Sequence, residues 1–375
     1  MSKTRENRKI LIAMSGGVDS AVSAMLLKNQ GHEVESVYVR TWEHEEDLLG
    51  DCPGAKDLQD AKLVSEKLNI PFRVVNYTEF YRREVVIPMV NGYADGITPN
   101  PDILCNKQMK FGALMNYAKE QGFDALATGH YCIQKFNESN TVELWEGMDK
   151  NKDQSYFLAR LSNEQIRFAR FPIGQLEKTT IRKLAHSADL PVANKKDSQG
   201  ICFLGKVKVP EFLSHFIEDN PGDIVDQHRK KLGKHKGLHR YTLGQRRGIG
   251  VPSNMDHENF VVTGKDETRN ELIIALERPD EPTLWGKNYG LENVQFLDSE
   301  LATQTEIFLL GKARYRDPST QIHLIQKEPN SWIVQFKHEQ RALTPGQVLA
   351  FYRGEQLIGS GIYSHSNLGR SALSS

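Results

Sequence analysis

The string Ser15-Gly16-Gly17-Val18-Asp19-Ser20 follows directly on the apolar run Ile10 to Met14 and precedes the helix-forming stretch Ala21 to Asn29. A buried strand that turns through two glycines into a helix commits a chain to an α/β architecture, because such a strand is apolar on both faces and needs helices to cover it. The turn is also chemically loaded. Its backbone N–H groups and the positive end of the helix can cradle an anion, the glycines let the main chain approach a phosphate, and the two serines add hydroxyl donors. A Walker A loop would place lysine after its second glycine, and none follows Gly17. A loop of this order suits pyrophosphate held as a leaving group, with adenylate left on a substrate.

The same alternation of strand and helix continues to about Gly129. Strands are expected at Val34 to Arg40, Phe72 to Tyr77 and Ala125 to Thr128, with helices over Leu58 to Asn69, Tyr81 to Asn91 and Pro101 to Gln121. Tyr131 to Phe136 and Thr141 to Glu146 read as a hairpin, and Lys178 to Asp189 as a helix capped by Thr179 or Thr180. After Gly205 the texture changes to short strands punctuated by Gly and Pro, from Phe260 to Thr263 through Leu357 to Ile362. The expected fold is therefore an α/β amino-terminal domain with a parallel sheet, followed by two small, mainly β domains. Its divisions fall at 1–205, 206–278 and 279–375, the last being barrel-like, with Pro279 and Pro282 near the second junction and a frayed tail from Ser364.

Lys and Arg number 48 and so do Asp and Glu, giving the 375 residues no net charge. That argues against a basic nucleic-acid coat protein, but it averages an acidic stretch, Glu43 to Asp51, with a basic one. From Gln227 to Arg247 lie Arg229, Lys230, Lys231, Lys234, Lys236, Arg240, Arg246 and Arg247 with no acidic residue. Such a run can track phosphates. Only four cysteines are present, without a C-x-x-C pair, which speaks against a zinc ribbon, a cysteine-ligated cluster and a secreted disulfide scaffold. A polar amino terminus and the lack of any 18-residue apolar stretch point to a reducing cytoplasm and away from a membrane.

Two of the cysteines sit in suggestive surroundings. Asn100 reads as a helix N-cap, Pro101 as the first helical residue and Asp102 as a first-turn acid, which places Cys105 early in a helix whose dipole favours thiolate. Asp102 is a candidate for acid/base duty. Cys202 lies between Gly200 and Gly205, with Lys195, Lys196 and Lys206 near it in sequence. Cys132 reads as a small buried hydrophobe, and Cys52, beside the acidic stretch, as inert.

SGGVDS resembles the signature of the PP-loop ATP pyrophosphatases. With TPNPDILCNK, ATGHY, NKDQSYFL, DSQGICFLG, YTLGQRRGIG and LTPGQ in this order, the chain from Ser15 to about Ile362 closely resembles the tRNA-specific 2-thiouridylases. The resemblance implies ATP held by Ala13, Met14, Ser15, Gly16, Gly17, Val18, Asp19 and Ser20, with Gly129 and Val39 on the adenine side. Val39 stands where the family usually has Met. It implies Cys105 as nucleophile, Cys202 as persulfide carrier, and Asn100, Pro101 and Asp102 at the target base. It further implies tRNA contacts from His130, Lys152, Asp153, Gln154, Arg314, Tyr315 and Gln347. Mg²⁺ is expected with ATP, without assigned ligands, and a cysteine desulfurase or relay protein is expected as the persulfide donor.

The implied reaction is adenylation of the uracil C2 oxygen, which is otherwise a poor leaving group, followed by sulfur delivery from Cys202. Cys105 would attack the persulfide, either releasing hydrosulfide or leaving a Cys105–Cys202 disulfide. Two rival readings remain at this stage. One is a PP-loop synthetase that adenylates a small carboxylate for amide formation, and the other is a non-enzymatic RNA-binding protein with a redox-sensing cysteine pair.

Overall fold

A computed structural model describes residues 8–42, 53–197, 208–252, 259–278, 281 and 283–364. The chain divides into two compact units. One comprises Met1–Val86, Pro101–Lys206 and Arg353–Ile358, the other Ile87–Asn100, Val207–Tyr352 and Gly359–Ser375.

In the first unit, strands β1 (Lys9–Ala13), β2 (Glu33–Arg40), β3 (Phe72–Asn76) and β4 (Ala125–Ala127) precede the hairpin β5 (Cys132–Phe136) and β6 (Val142–Glu146), and a two-residue strand β7 (Ala169–Arg170) follows. The main sheet has the order β3-β2-β1-β4-β7 and every pairing in it is parallel. Helix α1 (Val18–Asn29) and helix α2 (Pro53–Lys67) cross over it, joined later by α3 (Lys178–Ser187). The core draws Ile10 and Ile12 from β1 with Met14 just after it, Val18 and Val22 from α1, and Ile181 and Ala185 from α3. Burying each of the larger apolar side chains contributes roughly 1.5–3 kcal/mol. That explains why β1 carries no polar residue after Lys9.

Two local expectations are corrected. The helix at 178 is preceded by Glu177 in extended backbone, with no side-chain cap; the Thr179 hydroxyl lies inside the helix and donates instead to Glu177 Oε2. The helix over 101–120 begins at Pro101 as the sequence predicts but is not α-helical throughout. It is α over Pro101–Leu104, π over Cys105–Leu114 and α again over Met115–Glu120.

The second unit is built mainly of strands, beside the helices Ile87–Ala94 and Val209–Leu213. A four-stranded sheet takes the order β10-β11-β8-β9 from β8 (Gly222–Val225), β9 (Lys231–His235), β10 (Phe260–Asp266) and β11 (Glu271–Leu276), around Ile224, Tyr241, Val262, Leu272 and Ile274. The sequence reading found β10 and β11 but missed β8 and β9, whose charged residues mask the alternation. A longer sheet follows with β12 (Trp285–Phe296), β13 (Glu306–Lys312), β14 (Thr320–Glu328), β15 (Ser331–Arg341), β16 (Val348–Arg353) and β17 (Gln356–Tyr363). Its order is β12-β15-β14-β13-β16-β17, and β12 also pairs with β17 from Leu291↔Tyr363 to Phe296↔Gly359, which closes six strands into a barrel. Closure leaves no free edge among those strands. Pro279, Pro282 and the tail beyond Ser364, named above as junction and frayed end, lie outside the described residues.

Candidate functional site

Strand order reverses at β1, with β2 on one side and β4 on the other, and ligands of open α/β sheets settle outside the carboxyl ends of strands at such a point. The glycine loop leaves β1 there. Met14 N–H donates to the Val37 carbonyl at 2.8 Å, carrying the sheet one residue further. Ser15 N–H then donates to Ser20 Oγ at 3.2 Å, while that hydroxyl donates to the Gly17 carbonyl at 3.0 Å. Both serines thus shape the turn before any ligand arrives. Gly16 adopts φ +74°, and a Cβ on it would overlap the Asp57 carbonyl of α2. Gly129, two residues beyond β4, lies flush against the start of α1, for a Cβ there would stand 2.8 Å from Ser20 N. The structure therefore brings Ala13 to Ser20 together with Gly129, and leaves Val39 half-buried near the end of neighbouring β2, two residues past Val37.

The lysine absent from the loop comes from α3. Lys178 Nζ donates to both Asp19 oxygens at 2.8 and 2.9 Å and pairs with Asp197 at 2.8 Å. Tyr131 adds its hydroxyl to Asp19 at 2.7 Å. Burial and the Asp19 carboxylate push that phenol far up, so it stays a donor. Lys195 holds the other side, donating to the Gly16 carbonyl at 3.0 Å and pairing with Asp57 and Asp60 of α2 at 2.6 and 2.5 Å. Its charge, expected beside Cys202, is taken up here. Lys178 and Tyr131 carry no local signal in the sequence, because their partners are 159 and 112 residues away.

Asp197 also accepts from Lys152 and Arg182, each at 2.7 Å. Burial raises its pKa, but the hydrogen bonds and charges of Lys152 and Lys178 outweigh that and hold it at about 2. A carboxylate whose folded value is depressed contributes stability above its unfolded value and loses it as pH falls through the folded one. The melting-temperature gap between wild type and Asp197→Asn should be full at pH 7 and close as pH drops from about 4 to about 2. A gap unchanged across that window, followed by calorimetry, would remove Asp197 from the pH dependence.

Cys105 is 2% exposed and opens the π stretch, with Asp102 half-buried one turn earlier. Asn106, equally buried, donates from Nδ2 to the Phe157 carbonyl at 3.1 Å. His130 is buried against Phe111 and Phe171, with Nδ1 2.7 Å from Thr128 Oγ1. Burial and Lys110 hold its pKa well below the usual imidazole range, so the ring is neutral. The run Lys152-Asp153-Gln154 faces inward. Lys152 is tied to Asp197, Gln154 Oε1 accepts from Tyr131 N–H at 3.0 Å, and Asp153 accepts from Gly147 and Ser155 N–H at 3.0 and 3.1 Å. Gln154 thus fixes the Tyr131 main chain, Asp153 the turn from Gly147 to Ser155, and Lys152 the Asp197 carboxylate. Cys132 has a free thiol, fully buried and pushed well up by burial and by Asp153, which suits the small buried hydrophobe expected of it. Cys52, Cys202 and Lys206 lie outside the described residues.

In the second unit two quoted motifs meet. Gln347 Nε2 donates to the Thr98 carbonyl at 2.6 Å across 249 positions of sequence, and Thr98 N–H donates to the Pro345 carbonyl at 2.8 Å. Gly346, at φ +86°, leaves only enough room for the Thr98 backbone, 3.1 Å from where a Cβ would stand. Asn100 follows two residues later, half-buried. Arg314 donates to the Arg341 and Ala342 carbonyls at 2.6 and 2.5 Å, just before the LTPGQ segment, and Tyr315 beside it is half-buried.

The basic run is acid-free in sequence only. Arg229 pairs with Asp266 and Glu271, Lys231 and Lys234 with Asp223, Arg240 with Asp219, and Arg246 with Glu277. Exposed pairs of this kind add little stability, yet each sets a carboxylate beside a cation that a phosphate would meet. Among the described residues no acid pairs with Lys230, Lys236 or Arg247.

Among the described residues no three His, Cys, Asp or Glu side chains group closely enough to hold a metal ion, and no helix is long and apolar enough to cross a membrane. Three family models match in tandem: the tRNA methyl transferase HUP domain over residues 8–206, the tRNA methyl transferase PRC-barrel domain over 210–276 and the aminomethyltransferase beta-barrel domain over 288–363. The tRNA-specific 2-thiouridylase MnmA of Akkermansia muciniphila is 42% identical over 95% of this chain and 98% of its own length. Those of Hydrogenovibrio crunogenus and Alkaliphilus oremlandii are each 40% identical, over 95% and 96% of this chain and 94% and 98% of theirs. Among solved structures, a 4-thiouridine synthetase–RNA complex with bound ATP aligns with 56% of this chain and 50% of its own at 17% identity and a TM-score of 0.33, a likeness too loose to bear on the site. With tandem domain models spanning nearly the whole chain and relatives at about 40% identity along its length, the chain belongs to the tRNA-specific 2-thiouridylase family.

Proposed function

We propose that this protein is a tRNA-uridine 2-sulfurtransferase that uses ATP to activate the C2 oxygen of the wobble uridine and replaces that oxygen with sulfur. The observation that carries this reading is the glycine loop at the sheet's reversal point in a chain whose relatives, matched end to end, are 2-thiouridylases. The carboxylate-adenylating alternative leaves Cys105 and the docked Thr98–Gln347 motifs without a task.

The loop fits a nucleotide. Gly16 and Gly129 bring main chain close where side chains would block it, and Gly17 opens α1 with its N–H groups toward the loop mouth. Ala13, Met14, Val18 and Val39 supply the apolar surroundings that an adenine ring favours. Of the carboxylates around the loop, Asp19 and Asp197 are bridged by Lys178, and Asp57 and Asp60 by Lys195, so Mg²⁺ is proposed to arrive on the ATP phosphates, as it commonly does in phosphoryl-transfer sites.

In the first step the uracil O2 attacks the α-phosphorus; an O–P bond forms and pyrophosphate departs. In the second, sulfur carried as a persulfide on Cys202 replaces AMP at C2. The Cys105 thiolate attacks Cys202 Sγ, the persulfide S–S bond breaks, and the pair is left as a disulfide that an external thiol reductant must open. Whether sulfur leaves as hydrosulfide before meeting C2 or bonds to C2 first, atoms and electrons balance in the same way. Asn100, Pro101 and Asp102 are proposed at the target base, with Arg314, Tyr315 and Gln347 setting the tRNA contact of the second unit. His130, Lys152, Asp153 and Gln154 are proposed to act on tRNA chiefly by fixing the walls of the site, since His130 Nδ1, Lys152 Nζ, the Asp153 carboxylate and Gln154 Oε1 already have partners within the chain. The working division remains a catalytic domain over 1–205, a small β domain over 206–278 and a barrel domain over 279–375, in a cytoplasmic enzyme served by a persulfide-donating protein.

The test is mass spectrometry of nucleosides from unmodified tRNA incubated with the protein, ATP, Mg²⁺ and a persulfide donor. A 2-thiouridine product that requires ATP, with one AMP released per sulfur inserted, is expected. AMP formation from small carboxylates without RNA would overturn the reading.

A further inference from the structure

Side chains from outside the π-helical stretch that begins at Cys105 donate to its carbonyls: Tyr77 Oη makes one long bond to Ala113 at 3.4 Å, and Gln165 makes two shorter ones. Gln165 Nε2 donates to the Lys107 carbonyl at 3.0 Å and to the Phe111 carbonyl at 2.8 Å, so its two N–H groups serve two acceptors of the same helix. Its Oε1 accepts from Ser162 N–H at 2.9 Å, while Ser162 Oγ accepts from Gln165 N–H at 3.3 Å, a capping box that starts the helix Asn163–Phe168. The amide is therefore fixed at both ends. On the helix side Gly112 leaves room for the tilted carbonyl, since a Cβ there would stand 3.0 Å from Lys107 O.

We infer that Gln165 is a positioning residue that holds the wide register of 105–114 and thereby sets where Cys105 and Asp102 point, an inference that rests on the reading of Cys105 as the nucleophile. A π register runs its hydrogen bonds from i to i+5 and costs more than an α register, so it persists where something outside the helix supports it. Collapse to an α register would take one residue out of the turn. One residue is about 100° of rotation and, at a Cα radius of about 2.3 Å, about 3.5 Å of main-chain displacement. Everything on the amino-terminal side of the stretch, Cys105 and Asp102 included, would turn together relative to the helix end that remains packed.

Three variants separate this role from ordinary capping. Gln165→Met keeps the side-chain length but loses both donors and the acceptor, Gln165→Glu keeps the acceptor for Ser162 but faces the two carbonyls with a carboxylate, and Ser162→Ala loses the cap hydroxyl while leaving the Gln165 amide in place. The readouts are kcat and KM for thiolation and the pH midpoint of Cys105 alkylation by iodoacetamide, followed on the Cys105 peptide by mass spectrometry. Both Gln165 variants should lose about 10- to 100-fold in kcat with KM for ATP within about twofold, because the phosphate loop is untouched. Their alkylation midpoint should move by about half a unit or more, while Ser162→Ala stays near wild type in both. A Gln165→Met enzyme with unchanged kcat and midpoint overturns the proposal, as does an equal loss in Ser162→Ala; Gln165→Glu carries the same test should the methionine variant not fold. Cys105→Ser run in parallel keeps the two readings apart. If it still thiolates tRNA, the nucleophile reading has failed, and the alkylation shift alone then judges the role of Gln165.

Discussion

Replacing Gly16 by alanine should lower ATP-dependent turnover by on the order of 10²-fold and weaken the fold. The residue sits at φ +74°, and an added Cβ would run into the Asp57 carbonyl at the back of the loop. A left-handed backbone costs an L-residue roughly 1–2 kcal/mol, and forcing apart a packed contact adds about 1–3 kcal/mol. The loop could escape only by lifting off α2, yet Lys195 ties the Gly16 carbonyl to Asp57 and Asp60. Relief of the clash therefore breaks that triad as well. Displacement of phosphate-binding main chain by even an ångström is expected to cost on the order of 10²-fold in rate. Urea unfolding and ATP binding by calorimetry, read together, check both halves. Wild-type ATP affinity in a folded Gly16→Ala protein would mean that the loop does not bind the nucleotide through its main chain.

The second large effect belongs to Cys105. Cys105→Ser should lower thiolation at least about 10³-fold, because a hydroxyl at neutral pH cannot replace a thiolate in attack on a persulfide. Adenylation is proposed to draw on the glycine loop and not on this thiol, so tRNA-dependent release of AMP and pyrophosphate should survive. When the variant is incubated with a persulfide donor, Cys202 should accumulate one extra sulfur atom, visible in the intact mass. Thiolated tRNA at the wild-type rate would assign the nucleophile elsewhere, and loss of adenylation together with thiolation would mean that Cys105 shapes the site rather than acting in it. The corresponding Cys202→Ser protein should carry no extra sulfur.

Much of this was legible in the sequence because the relevant signals are local. The apolar β1, the glycine pair and the helix start at Pro101 depend on residues within a few positions of one another, and each appears where the sequence predicts it. What was hidden depends on distance. Nothing near Lys178 hints that it will meet Asp19, and nothing in Arg229 to Arg247 reveals that acids from 219 to 277 will cover half of that run. The π register after Cys105 is equally silent, because it is decided by Gln165, some 58 residues beyond Lys107. Nor does the polar run Lys152-Asp153-Gln154 reveal that Lys152 will pair with Asp197 and that Gln154 will accept from the Tyr131 N–H.

The bond from Gln347 to Thr98 has a consequence for how the molecule comes into being. Residues 87–100 belong to the second unit although they are translated among the strands and helices of the first. The Thr98–Asn100 segment leaves the ribosome early, yet the carbonyl and N–H of Thr98 find their partners only once Pro345 and Gln347 have been made. Contacts so far apart in sequence form late and slowly. A nascent chain can therefore complete the turn through Gly16 and Gly17 well before the segment Thr98–Asn100 is anchored. The order of synthesis thus separates formation of the glycine loop from docking of the segment proposed to meet the target base.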